Sequence, residues 1–158
     1  MRKPDKIIGS VDDPYLLRWY IIPRNNYFNI YLHKFLKSDD DRALHDHPWL
    51  FNASILLKGN YAEYTFQSVG YTFLKSRSRF AGRLSGFRFR WGKEPHRIKL
   101  IPSGKLKWGK IVEQPVWTLF ITGPIVRQWG FYCPNGWRVW YKYIEKTDEG
   151  NIVGRGCE

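Results

Sequence analysis

Along much of the chain, apolar and polar positions alternate with a period of two, the pattern of strands that bury one face. Asn29–Phe35 and Phe51–Leu57 are rich in β-branched and aromatic residues and predict strands. Gly59-Asn60 predicts a turn, with Tyr61–Phe66 as the returning strand of a hairpin. In Phe87–Trp91 the alternation is strict, with Phe87, Phe89 and Trp91 on one face and Arg88 and Arg90 on the other. Pro95–Ile101 sets His96, Ile98 and Leu100 opposite Arg97 and Lys99. Val116–Thr122 and Trp137–Tyr143 complete the predicted strands, and glycine- and proline-bearing turns separate them. A short N-terminal helical segment is predicted from Pro14 to Trp19, with proline in a first-turn position. Short strands at regular spacing imply an all-β sandwich or barrel.

Composition narrows this picture. The chain has 158 residues, 43% hydrophobic and 18% aromatic, enough for one domain with its own core and too apolar for a disordered chain. The domain is read as residues 1–144, with 145–158 as a loose polar tail. No run is long enough to span a membrane, and the N-terminus lacks the apolar stretch of a secretory signal. Two cysteines, Cys133 and Cys157, make no disulfide framework, so reduced thiols in a cytoplasmic setting are expected.

The charge is concentrated. Of a net +12, the segment Lys75–Lys110 carries +11, from twelve basic residues against the single acid Glu94. Such a block attracts an anionic partner, either a small anionic substrate or a nucleic acid.

Histidine is scarce, with four in the chain: His33, His45, His47 and His96. In an extended segment His45 and His47 point to the same face and can share a metal ion, while Asp46 points away. The spacing His45-x-His47-x4-Asn52-x6-Gly59 resembles the first motif of the cupin superfamily, with Asn52 at the glutamate position. His96 lies in a later strand, as the second cupin motif requires. The order Phe28-Asn29-Ile30, His45-Asp46-His47, Leu56-Leu57, Gly59-Asn60, Glu63 is similar to the thiol dioxygenase (cysteine dioxygenase) branch, whose iron is held by three histidines and no carboxylate. Pro95-His96-Arg97-Ile98-Lys99 matches its third-ligand strand. The block Trp117–Pro124 with Arg127 and Trp129-Gly130-Phe131 also resembles small cupin proteins of bacteriophages.

The resemblance implies a double-stranded β-helix (jelly-roll) barrel and a metal triad of His45, His47 and His96. It implies Fe(II), although imidazole donors equally suit Zn, Ni or another divalent metal. It also places the family's substrate-carboxylate arginine at Arg18, ten residues before Phe28. Where the thiol dioxygenases present a histidine and a tyrosine to the active site, this chain has Thr118, Phe120 and Thr122, which leaves the substrate open.

Arg18, Arg90, Thr118 and Arg127 are the candidate catalytic or anion-gripping residues. His33 is read as a pocket or core residue, Asn52 as a group behind the ligands, and Asp39–Asp41 with Arg42 as a solvated turn. Trp49 and Trp129 are read as packing residues that could also stack on a planar substrate. The leading functional expectation is a metal-dependent oxidoreductase acting on a small anionic molecule by dioxygenase-type chemistry. A metal-dependent isomerase or hydrolase, or a cupin that binds nucleic acid or nucleotides through Lys75–Lys110, are the alternatives. No membrane association is expected, and a dimer is left open.

Overall fold

The computed structural model describes residues 2–10, 12–39, 43–66, 74–107, 110–147, 150–153 and 156–158. In chain order the strands are β1 Lys6–Gly9, β2 Pro14–Tyr20, β3 Asn29–Phe35, β4 Leu44–His45, β5 Phe51–Lys58, β6 Asn60–Phe66, β7 Leu74–Phe80 and β8 Phe87–Trp91. They continue as β9 His96–Leu100, β10 Pro102–Lys107, β11 Lys110–Glu113, β12 Val116–Thr122, β13 Gly130–Cys133, β14 Gly136–Val139, β15 Ile144–Thr147 and β16 Gly150–Val153. One antiparallel sheet has the order β1-β2-β3-β12-β5-β8, and a second has the order β14-β13-β4-β9-β6-β7. Two hairpins, β10-β11 and β15-β16, complete the structure. The architecture is a sandwich of two antiparallel β-sheets, and no helix among the described residues is long and apolar enough to cross a membrane.

The expected N-terminal helix is a strand. Pro14–Tyr20 pairs with β3 in continuous register, Leu16 against Phe35 and Arg18 against His33. Proline opens this strand, where a missing N–H disturbs least, and the ladder to β3 overrides any helical preference. The expected strand Trp137–Tyr143 is divided into β14 and one helical turn, α1 (Trp140–Tyr143). A helical turn puts residues three apart on one side. Trp140 thereby stacks on Trp129, and the Tyr143 ring lies 3.7 Å from that of Phe131.

The segment expected to form a loose tail carries the β15-β16 hairpin, and the expected free thiols are joined. Cys133 and Cys157 form a disulfide across Cα atoms 5.4 Å apart. Cys157 packs on the cluster of Ala43, Phe131, Cys133 and Tyr143, so the chain end is held against β13.

The main core fills one end of the sandwich with Leu16, Phe35 and Val116 from the first sheet and Tyr61, Ile98 and Leu100 from the second. Each such side chain contributes roughly 1.5–3 kcal/mol when buried. Further along β12 the inward residues become Thr118, Phe120 and Thr122, opposite Leu56 and Asn52 of β5. The interior is therefore apolar at the Val116 end and polar at the Thr122 end, where the site lies.

The first sheet is also apolar over much of its outside, up to a row where Lys34 and Lys58 flank Trp117. Trp19, Leu32, Leu119, Ile55 and Phe87 stand side by side across five strands. Ile30, Ile121, Ala53 and Phe89 form the neighbouring row. Outward positions of the second sheet follow the usual rule instead, with Lys99, Ala62 and Ser78 in one row and Arg97, Tyr64 and Ser76 in the next.

Closing a loop of this length by a disulfide stabilises a fold by about 3 kcal/mol. Replacing Cys157 with serine is expected to lower the urea unfolding midpoint accordingly. An unchanged midpoint would show that the tail is held by packing alone.

Candidate metal centre

The three histidines are brought together by two short pairings. His45 of β4 lies directly opposite His96 of β9. His47, two residues on, returns to the same side of the extended segment. Its backbone N–H donates to the Gly92 carbonyl at 2.8 Å, and the Gly92 N–H donates to Leu50 O at 3.0 Å. A Cβ on Gly92 would stand 1.7 Å from the Trp49 carbonyl oxygen, so only glycine lets this strap approach the end of β8. Asp46 points the opposite way, fully buried. It accepts from Gly130 N–H at 2.7 Å and Trp137 Nε1–H at 3.1 Å, and pairs with Arg127 at 2.7 Å. It thus fastens the two flanking histidines to β13 and β14.

The rings of His45, His47 and His96 form a near-equilateral triangle, with centroids 4.9–5.2 Å apart. One nitrogen from each lies within 4.8 Å of the others, a geometry that can hold a metal ion. Nε2 of His47 and Nε2 of His96 are 2.9 Å apart. On the far side of two rings stand carboxylates: Glu63 Oε1 is 3.3 Å from His96 Nδ1, and Asp39 Oδ2 is 4.0 Å from His45 Nδ1. Carboxylates behind imidazoles fix ring orientation and raise donor strength at metal sites.

Electrostatics favour the neutral, ligating form. His47 and His96 are held well below the ordinary imidazole value, first by burial. For His47 the neighbouring histidines add to this, and for His96 Arg90 does. His45 is lowered mainly by burial, against the opposing pull of Asp39. Three neutral, converging imidazoles fit a divalent first-row metal.

Asp39 departs from the solvated turn expected of it. Its buried carboxylate accepts from Ile98 N–H at 2.7 Å and from the Tyr15 hydroxyl. Asp40, Asp41 and Arg42 lie outside the described residues.

The strict alternation of β8 is real, but its faces are inverted relative to simple hydrophobic burial. Phe87, Phe89 and Trp91 are exposed, while Arg90 is buried and Arg88 partly so. The arginines turn inward because Glu63 awaits them on β6. Arg79 donates to Glu63 Oε2 through Nε at 3.0 Å and Nη2 at 2.8 Å, Arg90 Nη2 meets Oε1, and Arg88 Nε lies 4.0 Å away. Arg90 also donates to Asn52 Oδ1 at 3.3 Å, and its burial pulls its pKa down to about 10. Two members of the basic block are thus spent on one internal carboxylate, and a third, Arg88, lies between it and Glu94, to which it donates at 3.4 Å. Glu63 as the anchor of Arg79 was not foreseen, although its inward parity with Tyr61 was available in the alternation of Tyr61–Phe66.

A cavity of about 1160 Å³ opens in front of the triangle. Arg18, Arg90 and Thr118 line it, as do Trp49 and Trp129, whereas Arg127, bound to Asp46, does not. Arg18 Nε donates to His33 Nε2 at 2.8 Å, and its guanidinium lies 4.7 Å from the Tyr31 ring centre. The Phe120 ring bridges the two regions, 5.1 Å from His33 and 6.1 Å from His47. His33 Nδ1 and Thr118 Oγ1 are buried without a hydrogen-bond partner among the described residues.

No family model matches the chain, and no curated protein matches it. Solved structures do. Hydroxypropylphosphonic acid epoxidase from S. wedmorenis is similar with a TM-score of 0.51 and 14% identity, covering 77% of this chain and 58% of that one. The Fe(II) form of the same enzyme, HppE, with the alternative substrate (S)-1-HPP gives a TM-score of 0.52 at 12% identity, with the same coverage. A cupin superfamily protein from Desulfitobacterium hafniense is similar over 78% of this chain and 83% of its own, with a TM-score of 0.46 and 9% identity. The chain thus spans less than two thirds of the epoxidase, and at these identities the likeness is one of fold.

Two outcomes test the centre. Replacing Glu63 with glutamine removes the charge that offsets three arginines, and is expected to destabilise the fold by about 3–5 kcal/mol. It is also expected to weaken metal binding roughly ten- to hundredfold, read by competition with a chelator. Separately, His33, His45, His47 and His96 all have folded-state values below the ordinary 6.5, held there first by burial. The unfolded chain therefore binds protons first as pH falls, so the metal-free protein keeps its full stability above about pH 6.5. Below that each ring that stays neutral in the fold costs roughly 1 kcal/mol per pH unit, measured as a falling urea midpoint. A flat profile from pH 7 to 5 would contradict their burial as neutral rings.

Proposed function

We propose that this chain is a metal-dependent cupin oxidoreductase, a jelly-roll barrel that holds mononuclear iron on His45, His47 and His96. Its activity is a dioxygenase-type oxidation of a small anionic molecule. The observation that carries this reading is the triangle of three neutral imidazoles facing a cavity that also contains the half-buried cation Arg18. Iron is favoured by the resemblance to the three-histidine thiol dioxygenases and by the Fe(II) form of the fold neighbour HppE.

When bound, the metal would supply open coordination positions at which O₂ and substrate are held together, making their reaction effectively intramolecular. The protein's own part is positioning. Arg18 has its Nε committed to His33, which aims the remaining guanidinium N–H groups and gives an anionic group a fixed fork. Burial lowers the pKa of Arg18, yet a guanidinium starts high enough to stay charged at neutral pH. Thr118 Oγ1 and His33 Nδ1 offer further hydrogen bonds at the same wall. Trp49, stacked on His47 with ring centres 5.4 Å apart, excludes water beside the ligands. Glu63 and Asp39 hold two of the imidazoles in place from behind.

The nucleic-acid reading draws less support, because Arg79 and Arg90 are directed at Glu63 and Arg88 pairs with Glu94. Arg97 and Lys99 remain on the outer face of the second sheet.

Elemental analysis should find about one iron per chain in the purified protein and none in the His45→Ala/His47→Ala variant. Absence of stoichiometric metal from both would defeat the proposal. Oxygen uptake with a panel of small carboxylates, thiols and phosphonates should then identify a substrate whose KM rises about tenfold or more in Arg18→Gln, the loss of one charge-assisted contact.

A further inference from the structure

We infer that the outer face of the β1-β2-β3-β12-β5-β8 sheet is a dimer interface, covered in solution by the same face of a second copy of this chain. The inference is independent of the proposed chemistry.

The argument begins with what the strands carry. An antiparallel sheet with one face in water alternates apolar and polar residues. Here β12 is apolar on the outside at Leu119 and Ile121, and at Trp117, whose ring Lys34 overlies, while its polar residues, Thr118 and Thr122, are the inward ones. On β8, Phe87, Phe89 and Trp91 stay 51%, 42% and 48% exposed while the arginines between them are turned in. The outward rows that contain Leu119 and Ile121 run unbroken across β3, β12, β5 and β8 without a charged residue. The second sheet is the internal control. Its outer positions carry Arg97, Lys99, Ser76 and Ser78, as a solvated face should.

Area and charge together select the occupant. With about half of each ring in water, the three β8 aromatics leave roughly 250–350 Å² of apolar surface. Ile55 and Leu57 of β5, 38% and 51% exposed, and the half-buried Ile30, Leu32, Leu119 and Ile121 bring the patch to roughly 600–800 Å², close to what each partner of a stable dimer buries. Monomers rarely expose a contiguous apolar patch of more than a few hundred Å². A nucleic acid or an acidic protein would find no cation on these two rows, Lys34 and Lys58 standing beside Trp117 at their border. A second copy meets a surface of its own kind, and a two-fold pairing of flat sheet faces is self-complementary. That pairing also turns the second sheets, with Arg97 and Lys99, away from each other, so two chains of net +12 can associate.

Light scattering after size exclusion should give twice the mass of one chain at micromolar concentration. The exposed positions Phe87 and Phe89 lie outside the core clusters, so Phe87→Glu and Phe89→Lys should fold with an unchanged melting temperature and metal content. Each should raise the dimer Kd by roughly thirtyfold or more, the weight of a central anchor. Hydroxyl-radical footprinting of the unaltered chain should show Trp91 and Phe87 becoming protected as concentration rises, a readout that needs no variant. A wild-type monomer at 100 µM (about a hundredfold above the working range) overturns the inference. So does a dimer that survives both substitutions with Trp91 still reactive. A monomer that cosediments with phosphatidylcholine vesicles and loses this in Phe89→Lys would assign the face to lipid instead, and would equally overturn it.

Discussion

At the centre of the molecule Glu63, wholly out of water, faces Arg79 and Arg90, with Arg88 at 4.0 Å and His96 Nδ1 at 3.3 Å. A lone carboxylate in such a place would be neutralised by proton uptake, and lone guanidinium groups would be pulled out to solvent. Held together they are mutually required. β7 and β8 must each direct arginines inward, β6 must keep its register between β7 and β9, and His96 must sit where the carboxylate can reach its ring. A buried ion cluster of this kind adds little to stability over an apolar core of the same volume, but it permits very few arrangements of the strands that carry it. Through it the geometry of one proposed ligand is tied to the pairing of three strands.

This cluster also marks the boundary of what was legible in the chain. Strands with one apolar and one polar face were readable to the residue: β3 and β12 fall at Asn29–Phe35 and Val116–Thr122, and Gly59 supplies the positive φ of the turn after β5. The His45-x-His47 pair and His96 were readable as a metal face because alternation and spacing constrain direction. Elsewhere local pattern misled. The alternation of Phe87–Trp91 specified two faces but not which one is buried, since that depends on Glu63, more than twenty residues away. Pro14–Trp19 carries no local mark that separates a first helical turn from an edge-proximal strand, and the ladder to β3 decides. Asp39 looks like a loop acid until β9 brings Ile98 N–H against it. The Cys133–Cys157 pair needed the path of the chain end, which two isolated cysteines do not encode.

Polarity is distributed in an unusual sense across the first sheet. Its inward surface bears Thr118, Thr122, Asn52, Ser54 and Asn29, and its outward surface bears isoleucine, leucine and aromatic rings. The two facts have a common root. A cavity that is to receive a polar molecule cannot be lined by the residues that would otherwise drive the sheet together, so the apolar complement of those strands lies on the other side. The closed end of the sandwich, packed with Leu16, Val116 and Leu100, keeps the fold while the Thr122 end is given over to hydrogen-bonding groups.

Strand β12 lies between β3 and β5 in space yet follows both by more than fifty residues in sequence. During synthesis β3 and β5 therefore leave the ribosome with no neighbour on the edges they will share with it. Both edges stay open until Val116–Thr122 has been made and can slide between them. Contacts of such sequence separation form slowly, and unpaired edges beside apolar faces are where nascent β-proteins stick to one another. The last central strand of the first sheet is thus also its latch: the interval before it arrives is when a nascent chain is most exposed to its neighbours.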